Sequence, residues 1–407
     1  MTLLRNSLSR NTIALHVVVA CGFFSTASAQ EPETVEHSTL EPSINAELRY
    51  DDNIFLSAAN EKASLITILS PALLAIVKPS RHRLQFLYQG EFASYASSSA
   101  DNYDDHTFQA AALLELGIRG LLDLTGSYQS GHENRGAGLS EGLEPGSDAF
   151  LREPDQYDQT QFAGKFSYGA TGTRGRLVFE AGRRDLEYTN NRDRTRFFDY
   201  DNTHGGGAFY LRVMPSTSLF LSVRADDFEY RFDRSSQPSL NSLEYRVLVG
   251  ATWNVTGKST GAVRFGHVEK KYDDDARRNF SEASWEVDVR WSLRSYSHLD
   301  FATRRYPSEI TSVTGDVIDN TRYSVGWSHQ WTPRIMSRLE TLHSRQEFRG
   351  SVEARVERFN RHGLTLSYEM RRWLAWNFGV SVASQNSNIE RFDFDANVVS
   401  LGADVTF

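Results

Sequence analysis

Among 407 residues there is a single cysteine, Cys21, with only ten prolines and four methionines. Cys21 lies in the N-terminal segment, so a chain cut after Ala29 has neither a disulfide framework nor a thiol nucleophile. Long apolar runs are missing too. Beyond the first 30 residues no stretch approaches the roughly 18 consecutive apolar residues of a membrane-spanning helix, and the most apolar one, residues 65–77, is broken by Thr67, Ser70 and Pro71. Basic excess is also lacking: 44 Lys and Arg face 52 Asp and Glu, and the net charge of −8 becomes −10 once Arg5 and Arg10 leave with a signal segment. That balance, without a basic patch, argues against nucleic-acid binding.

What the chain has in quantity is aromatics, 25 Phe, 17 Tyr and 7 Trp, despite a negative mean hydropathy. Disordered chains are aromatic-poor, and aromatic and β-branched residues favour strands. At the N-terminus Arg5 and Arg10 precede an apolar core over 13–20, and Ala27-Ser28-Ala29 offers a small-x-small cleavage site. Val18-Val19-Ala20-Cys21 offers a competing lipidation site at Cys21. The expected division is a signal peptide over 1–29, a short periplasmic segment over 30–42 and one folded unit over 43–407.

Helical periodicity is scarce, whereas period-2 alternation recurs. Ala283, Trp285, Val287, Val289, Trp291 and Leu293 form one face, against Glu282, Ser284, Glu286, Asp288, Arg290 and Ser292. Tyr245, Val247, Val249, Ala251 and Trp253 oppose Glu244, Arg246, Gly250 and Thr252 in the same way. Connections alternate between short ones, as at Pro79-Ser80 and Pro215-Ser216, and longer polar ones, as over 57–62, 133–156 and 308–318. Short turns alternating with long loops are the pattern of an outer-membrane barrel. The predicted fold is all-β: a single transmembrane antiparallel up-and-down β-barrel of 18 strands, from 43–56 to 393–407, with both termini periplasmic. An unsatisfied amide in hydrocarbon costs several kcal/mol, so the first strand has to pair with the last. In 217–232 the apolar side switches from Leu219, Leu221 and Val223 to Phe228, Tyr230 and Phe232. A bulge near Asp226-Asp227, or a strand end already above the hydrocarbon, accounts for the switch.

Enzyme motifs fit poorly. Gly138-Leu139-Ser140-Glu141-Gly142 matches a nucleophile elbow and His204-Gly205-Gly206-Gly207 an oxyanion motif, but no strand leads into a helix at Ser140 and the order is reversed. Thr256-Gly257-Lys258-Ser259 lacks the first glycine of a P-loop, and no H-E-x-x-H occurs. The acidic clusters at 51–53, 101–105 and 273–275 lack EF-hand spacing and read as solvated loops. No catalytic residue, cofactor or metal is expected.

A barrel of this size leaves an aqueous lumen. The polar faces nominate Arg224, Glu244, Arg246, Glu286, Asp288, Arg290, Arg322, Arg338 and Glu340, with Asp226, as lining residues, either paired with one another or facing a hydrated solute. The longest loop, 133–156, carries Glu133, Glu141, Glu144, Asp148, Glu153 and Asp155 against Arg135 and Arg152. It is the candidate to fold inward and set a constriction. Trp291, Trp331 and Trp376 belong in an aromatic girdle at the periplasmic end. Val399, Leu401, Ala403, Val405 and the terminal Phe407 alternate with polar and small residues. That ending, with Val405 and Phe407 as its signal, resembles the element read by the barrel insertion machinery.

Tyr50-Asp51-Asp52-Asn53-Ile54-Phe55, after Glu47-Leu48-Arg49, resembles the opening of a family of outer-membrane β-barrel porins often encoded in capsule and exopolysaccharide gene clusters. The resemblance implies a passive conduit for an exopolysaccharide or capsular polysaccharide, working with periplasmic export proteins and surrounded by outer-membrane lipids. The alternatives are a general or nutrient-uptake diffusion porin and, further off, a barrel enzyme of the lipase or protease type.

Overall fold

The computed structural model describes residues 38–407, apart from 148–149, 170–172, 234–236, 256–257, 311–314 and 351–353. The expected signal peptide, Cys21, Asp148 and the turn at Thr256-Gly257 lie outside the described residues. The strands are β1 (Thr39–Asp51), β2 (Ser64–Val77), β3 (Arg83–Tyr95), β4 (Tyr103–Leu116), β5 (Gly120–Glu133), β6 (Asp155–Tyr168), β7 (Gly175–Tyr188), β8 (Tyr200–Met214) and β9 (Thr217–Tyr230). They continue as β10 (Ser242–Val255), β11 (Ser259–Tyr272), β12 (Phe280–Arg294), β13 (Ser297–Ser308), β14 (Val317–Thr332), β15 (Ile335–Arg349), β16 (Arg355–Arg371), β17 (Leu374–Ser387) and β18 (Phe394–Thr406). Each strand is antiparallel to its sequence neighbours, and β1 pairs with both β2 and β18. The sheet is therefore a closed 18-stranded barrel with no edge left to satisfy.

The alternation read in the sequence sets the two faces, but with apolar residues outside. On β10, Val247 and Val249 remain 45% and 55% exposed, whereas Glu244 and Leu248 on the other face are 5% exposed. Such an inversion is stable where the surroundings are lipid. Trp291, Trp331 and Trp376 are exposed on the outer face at the end where the short turns lie. Trp331 Nε1 donates to Ser337 Oγ at 2.9 Å, which suits an indole placed where lipid meets water. Both chain ends of the barrel lie at this same end: Thr39 pairs with Ile76, and Phe407 N donates to Pro42 O at 3.1 Å.

Two local features differ from expectation. β1 begins at Thr39 and stops at Asp51 rather than running over 43–56, because Asp52 and Asn53 turn the chain and spend their side chains on the seam. In β9 the apolar switch involves no bulge and falls where the strand rises out of the hydrocarbon. Its register with β10 is unbroken from Thr217↔Trp253 to Phe228↔Ser242. Phe228 and Tyr230, each 8% exposed, share the inner face with Arg224 and Asp226 and belong to an aromatic cluster inside the barrel near the long loops. Outside, Leu219, Leu221 and Val223 give way to Asp227 and Glu229, which marks where hydrocarbon contact ends.

Candidate lumen and constriction

The ten lining candidates alternate with outward residues and stand on the inner face of β9, β10, β12, β14 and β15. Most are joined in three groups of ion pairs along the wall. Arg224 holds Asp226 at 2.7 Å and Glu180 of β7 at 3.2 Å. Arg246 meets Glu244 at 2.9 Å and Glu286 at 3.5 Å. Arg264 of β11 links Glu286 at 3.2 Å to Asp288 at 3.6 Å, and Asp288 continues to Arg304 of β13 at 3.4 Å. Arg290 grips Asp300 of β13 through two bonds, and Arg338 pairs with Glu340 and approaches Asp300 at 3.8 Å. Arg322 stands in register with Arg304 and with Ser344 of β15. Glu180, Arg264, Asp300 and Arg304 were not singled out from the sequence. Arg264 is flanked by Val263 and Phe265, which is signal enough, but Gly261 and Gly266 interrupt the pattern on that strand.

The loop between β5 and β6 crosses the barrel. Glu141 pairs with Arg355 of β16 and accepts from Gln385 Nε2 of β17 at 2.9 Å. Between the loop's own strands and β16 stand β7 to β15 on one side and β17 round to β4 on the other. Arg135 holds Asp101 and donates to Ser98 Oγ at 3.0 Å, tying the crossing loop to the β3–β4 connection. Two glycines make the path possible. Gly136 has φ +89°, and a Cβ there would lie 1.7 Å from the carbonyl oxygen of Phe55; Gly142 has φ +73° and would meet the Phe392 ring at 2.4 Å. Of the six acids proposed for this loop, Glu133, at the end of β5, accepts from Tyr188 Oη at 2.8 Å and from Leu139 N at 3.1 Å. Asp155 pairs with Arg194 and is almost fully buried. Glu144 and Glu153 are exposed.

The neighbouring connections also turn inward. Asp199, fully buried after β7, accepts from Tyr188 N and from Arg192, and holds that guanidinium above the ordinary arginine range. After β13, Glu309 accepts from Tyr230 Oη at 2.6 Å and pairs with Lys270, which is wholly buried with Nζ 4.0 Å from the Phe228 ring centre. Between these inward segments remains a cleft of about 80 Å³, bounded by Glu133, Leu139, Glu141, Tyr188, Tyr200, Tyr230, Glu309 and Phe348 among others. The sequence reading missed Glu309 and the inner aromatics. The aromatics on the polar face of 217–232 were the available clue.

Ser140 of the elbow-like motif is 1% exposed, accepts from Gly136 N at 2.9 Å and donates to Ala137 O at 2.8 Å. It closes a turn of the crossing loop, while His204 stands on β8 in register with Asp226. Among the described residues no three His, Cys, Asp or Glu side chains are grouped to hold a metal ion.

Solved structures with a similar fold include the outer-membrane protein OpdK of Pseudomonas aeruginosa, at TM-score 0.50 and 10% identity over 91% of this chain and 99% of that one. OpdL of the same organism gives TM-score 0.49 and 8% identity over 92% and 99%, and its OprD 0.46 and 10% over 91% and 95%. No curated protein matches the sequence. The family model described as "Putative beta-barrel porin 2" matches residues 37–407, the whole described barrel, and the chain belongs to that family of porins.

Proposed function

We propose that the protein is a selective outer-membrane diffusion channel for small solutes, the uptake-porin alternative rather than a polymer conduit. The observation that carries this reading is the crossing loop, anchored by Glu141 to Arg355 and Gln385 on the far wall. With the lumen divided there, pore radius and lining charge at the constriction govern passage. Below it the paired charges from Glu180 to Glu340 keep the wall wettable while presenting little net charge. A polysaccharide strand would have to displace the whole loop, and the case for such a cargo rests on the family resemblance alone. In this reading the long loops face outward, the short turns and both termini face the periplasm after cleavage near Ala29, and the insertion machinery reads Val405 and Phe407.

Planar-bilayer recording tests it. The wild-type barrel is expected to show a small conductance that rises several-fold when residues 138–147 are replaced by a short Gly-Ser link. A large wild-type conductance unchanged by that replacement sinks the constriction. Loss of polymer secretion on gene deletion, restored only by the intact gene, would favour the polysaccharide reading instead.

A further inference from the structure

The outer face of β15 and β16 changes character where its apolar side chains stop. Leu339 and Leu364, in register and 51% and 45% exposed, form the last row that is apolar on both strands. Toward the long loops the next rows are Thr341 with His362, His343 with Asn360, and Arg345 with Arg358. They lie on the lipid side, since Glu357 and Phe359, which alternate with them, are buried on the inner face at 1% and 5% exposure. Both imidazoles are tied through Nδ1, His362 to Thr341 Oγ1 at 2.9 Å and His343 to Asn360 Oδ1 at 2.7 Å, so Nε2 is the nitrogen left for an outside partner. Arg345 and Arg358 stand directly opposite each other, and like charges so placed destabilise a strand pair. Arg345 shares Glu347 with Arg349, each at 2.5 Å, whereas the exposed Arg358 has no acid at ion-pair distance among the described residues. The next arginine along, Arg305, is met by Asp319 and Glu282, and Asp319 also serves Arg349. Three acids thus serve four arginines, and the excess positive charge sits at Arg358. The outer face of β7 to β9 is the opposite case: Arg183 and Arg231 are both met by acids, drawn from Asp185, Glu187 and Asp201.

We infer that this face of β15 and β16 binds the phosphorylated headgroup of an outer-leaflet lipid, with Arg345 and Arg358 holding phosphate and His343 and His362 below them at the upper edge of the hydrocarbon. A phosphate between the two guanidinium groups removes the like-charge conflict, and each arginine offers paired N–H donors to its oxygens. The outside of a barrel at this height meets headgroups whatever the lumen carries. Leu339 and Leu364 below, with Val382 beside His362, give acyl chains an apolar surface from which a free anion gains nothing. The inference is independent of the solute and rests only on the long loops facing outward.

The test is native mass spectrometry of the full-length barrel in detergent, titrated with diphosphoryl lipid A and with the same lipid freed of its phosphates. The phosphorylated form is expected to bind at concentrations at least about tenfold lower, the worth of one hydrogen bond to a charged group. Arg345→Ala and Arg358→Ala should each remove several-fold of that preference, and Arg183→Ala, on the acid-rich side, none of it. Folding of each variant is checked by the heat-dependent gel mobility of an intact barrel. If Arg345→Ala fails to fold because Glu347 loses a partner, Arg358→Ala still decides. Without lipid, Arg358→Ala should leave the unfolding midpoint unchanged or raise it, because it relieves the conflict with Arg345; a lowered midpoint makes Arg358 a structural residue and overturns its role as a ligand. Equal binding of the two lipids, or a preference unchanged in folded Arg358→Ala, overturns the site. Inorganic pyrophosphate that displaces the lipid at matching concentration makes this a site for a free anion and overturns the lipid assignment. None of these outcomes touches conductance, so the channel reading stands or falls separately.

Discussion

Asn53 is fully buried where the chain leaves β1, and its side chain does the work of several backbone bonds. Its Nδ2 donates to Ser57 O at 3.0 Å and to Asp395 O at 2.8 Å, while Oδ1 accepts from Ser57 N at 3.1 Å. Asp52 beside it accepts from Asn397 N and Nδ2 at 2.6 and 2.8 Å. The Tyr-Asp-Asp-Asn opening is thus a clasp between the first loop and the last strand, at the long-loop end of the seam that closes the barrel. Asn53→Ala leaves two carbonyls and an amide without that partner, and stability should fall by about 1–3 kcal/mol. Urea unfolding of the barrel in lipid vesicles measures it; an unmoved midpoint rules the clasp out. Gly136→Val belongs at this scale too. Positive φ and the Phe55 carbonyl leave no room for a side chain, so the crossing loop must shift and conductance should change even though the barrel still assembles. A conductance identical to wild type contradicts the path drawn for the loop.

At the level of the strand, direction relative to lipid decides what a substitution costs. Val247 faces outward in the middle of β10, and Ser222 faces inward on β9, where it is in register with Leu248. Val247→Arg should destabilise by about 2–4 kcal/mol, the range for a cation on the lipid face near the midplane, and Ser222→Arg by much less. The same unfolding experiment compares them, and equal losses would mean that the faces are assigned wrongly. That assignment was legible from alternation because the pleat has a period of two and lipid tolerates few polar groups. β9 shows where legibility stopped. Phe228 and Tyr230 broke the expected polar inner face because the barrel interior near the loops is not solvent but a packed core with Tyr157, Tyr188 and Tyr200. Rings turned inward obey the same pleat, yet an apolar residue on a polar face looks from sequence alone like a slip in register.

For the whole molecule, closure and the 18 strands follow from local rules repeated along the chain, whereas the constriction depends on contacts that no local rule contains. Glu141 and Arg355 are 214 residues apart, Glu141 and Gln385 244. An acidic loop predicts charge but not which wall it reaches, since that depends on loop length, on the two glycines that let it bend and on a cation waiting across the lumen. Once made, the Glu141 contacts put the loop, β16 and β17 into one unit, so the resting pore should already have the loop in place rather than swinging between open and closed positions. The pair Glu141→Cys and Gln385→Cys, in a Cys21→Ser background, tests this with a short bifunctional thiol crosslinker. Rapid crosslinking with conductance close to the uncrosslinked protein is the expected outcome, because the link fixes a contact that already exists. If crosslinking is slow, or if it lowers a previously high conductance, the loop spends much of its time away from the wall and the constriction is a gate rather than a fixture.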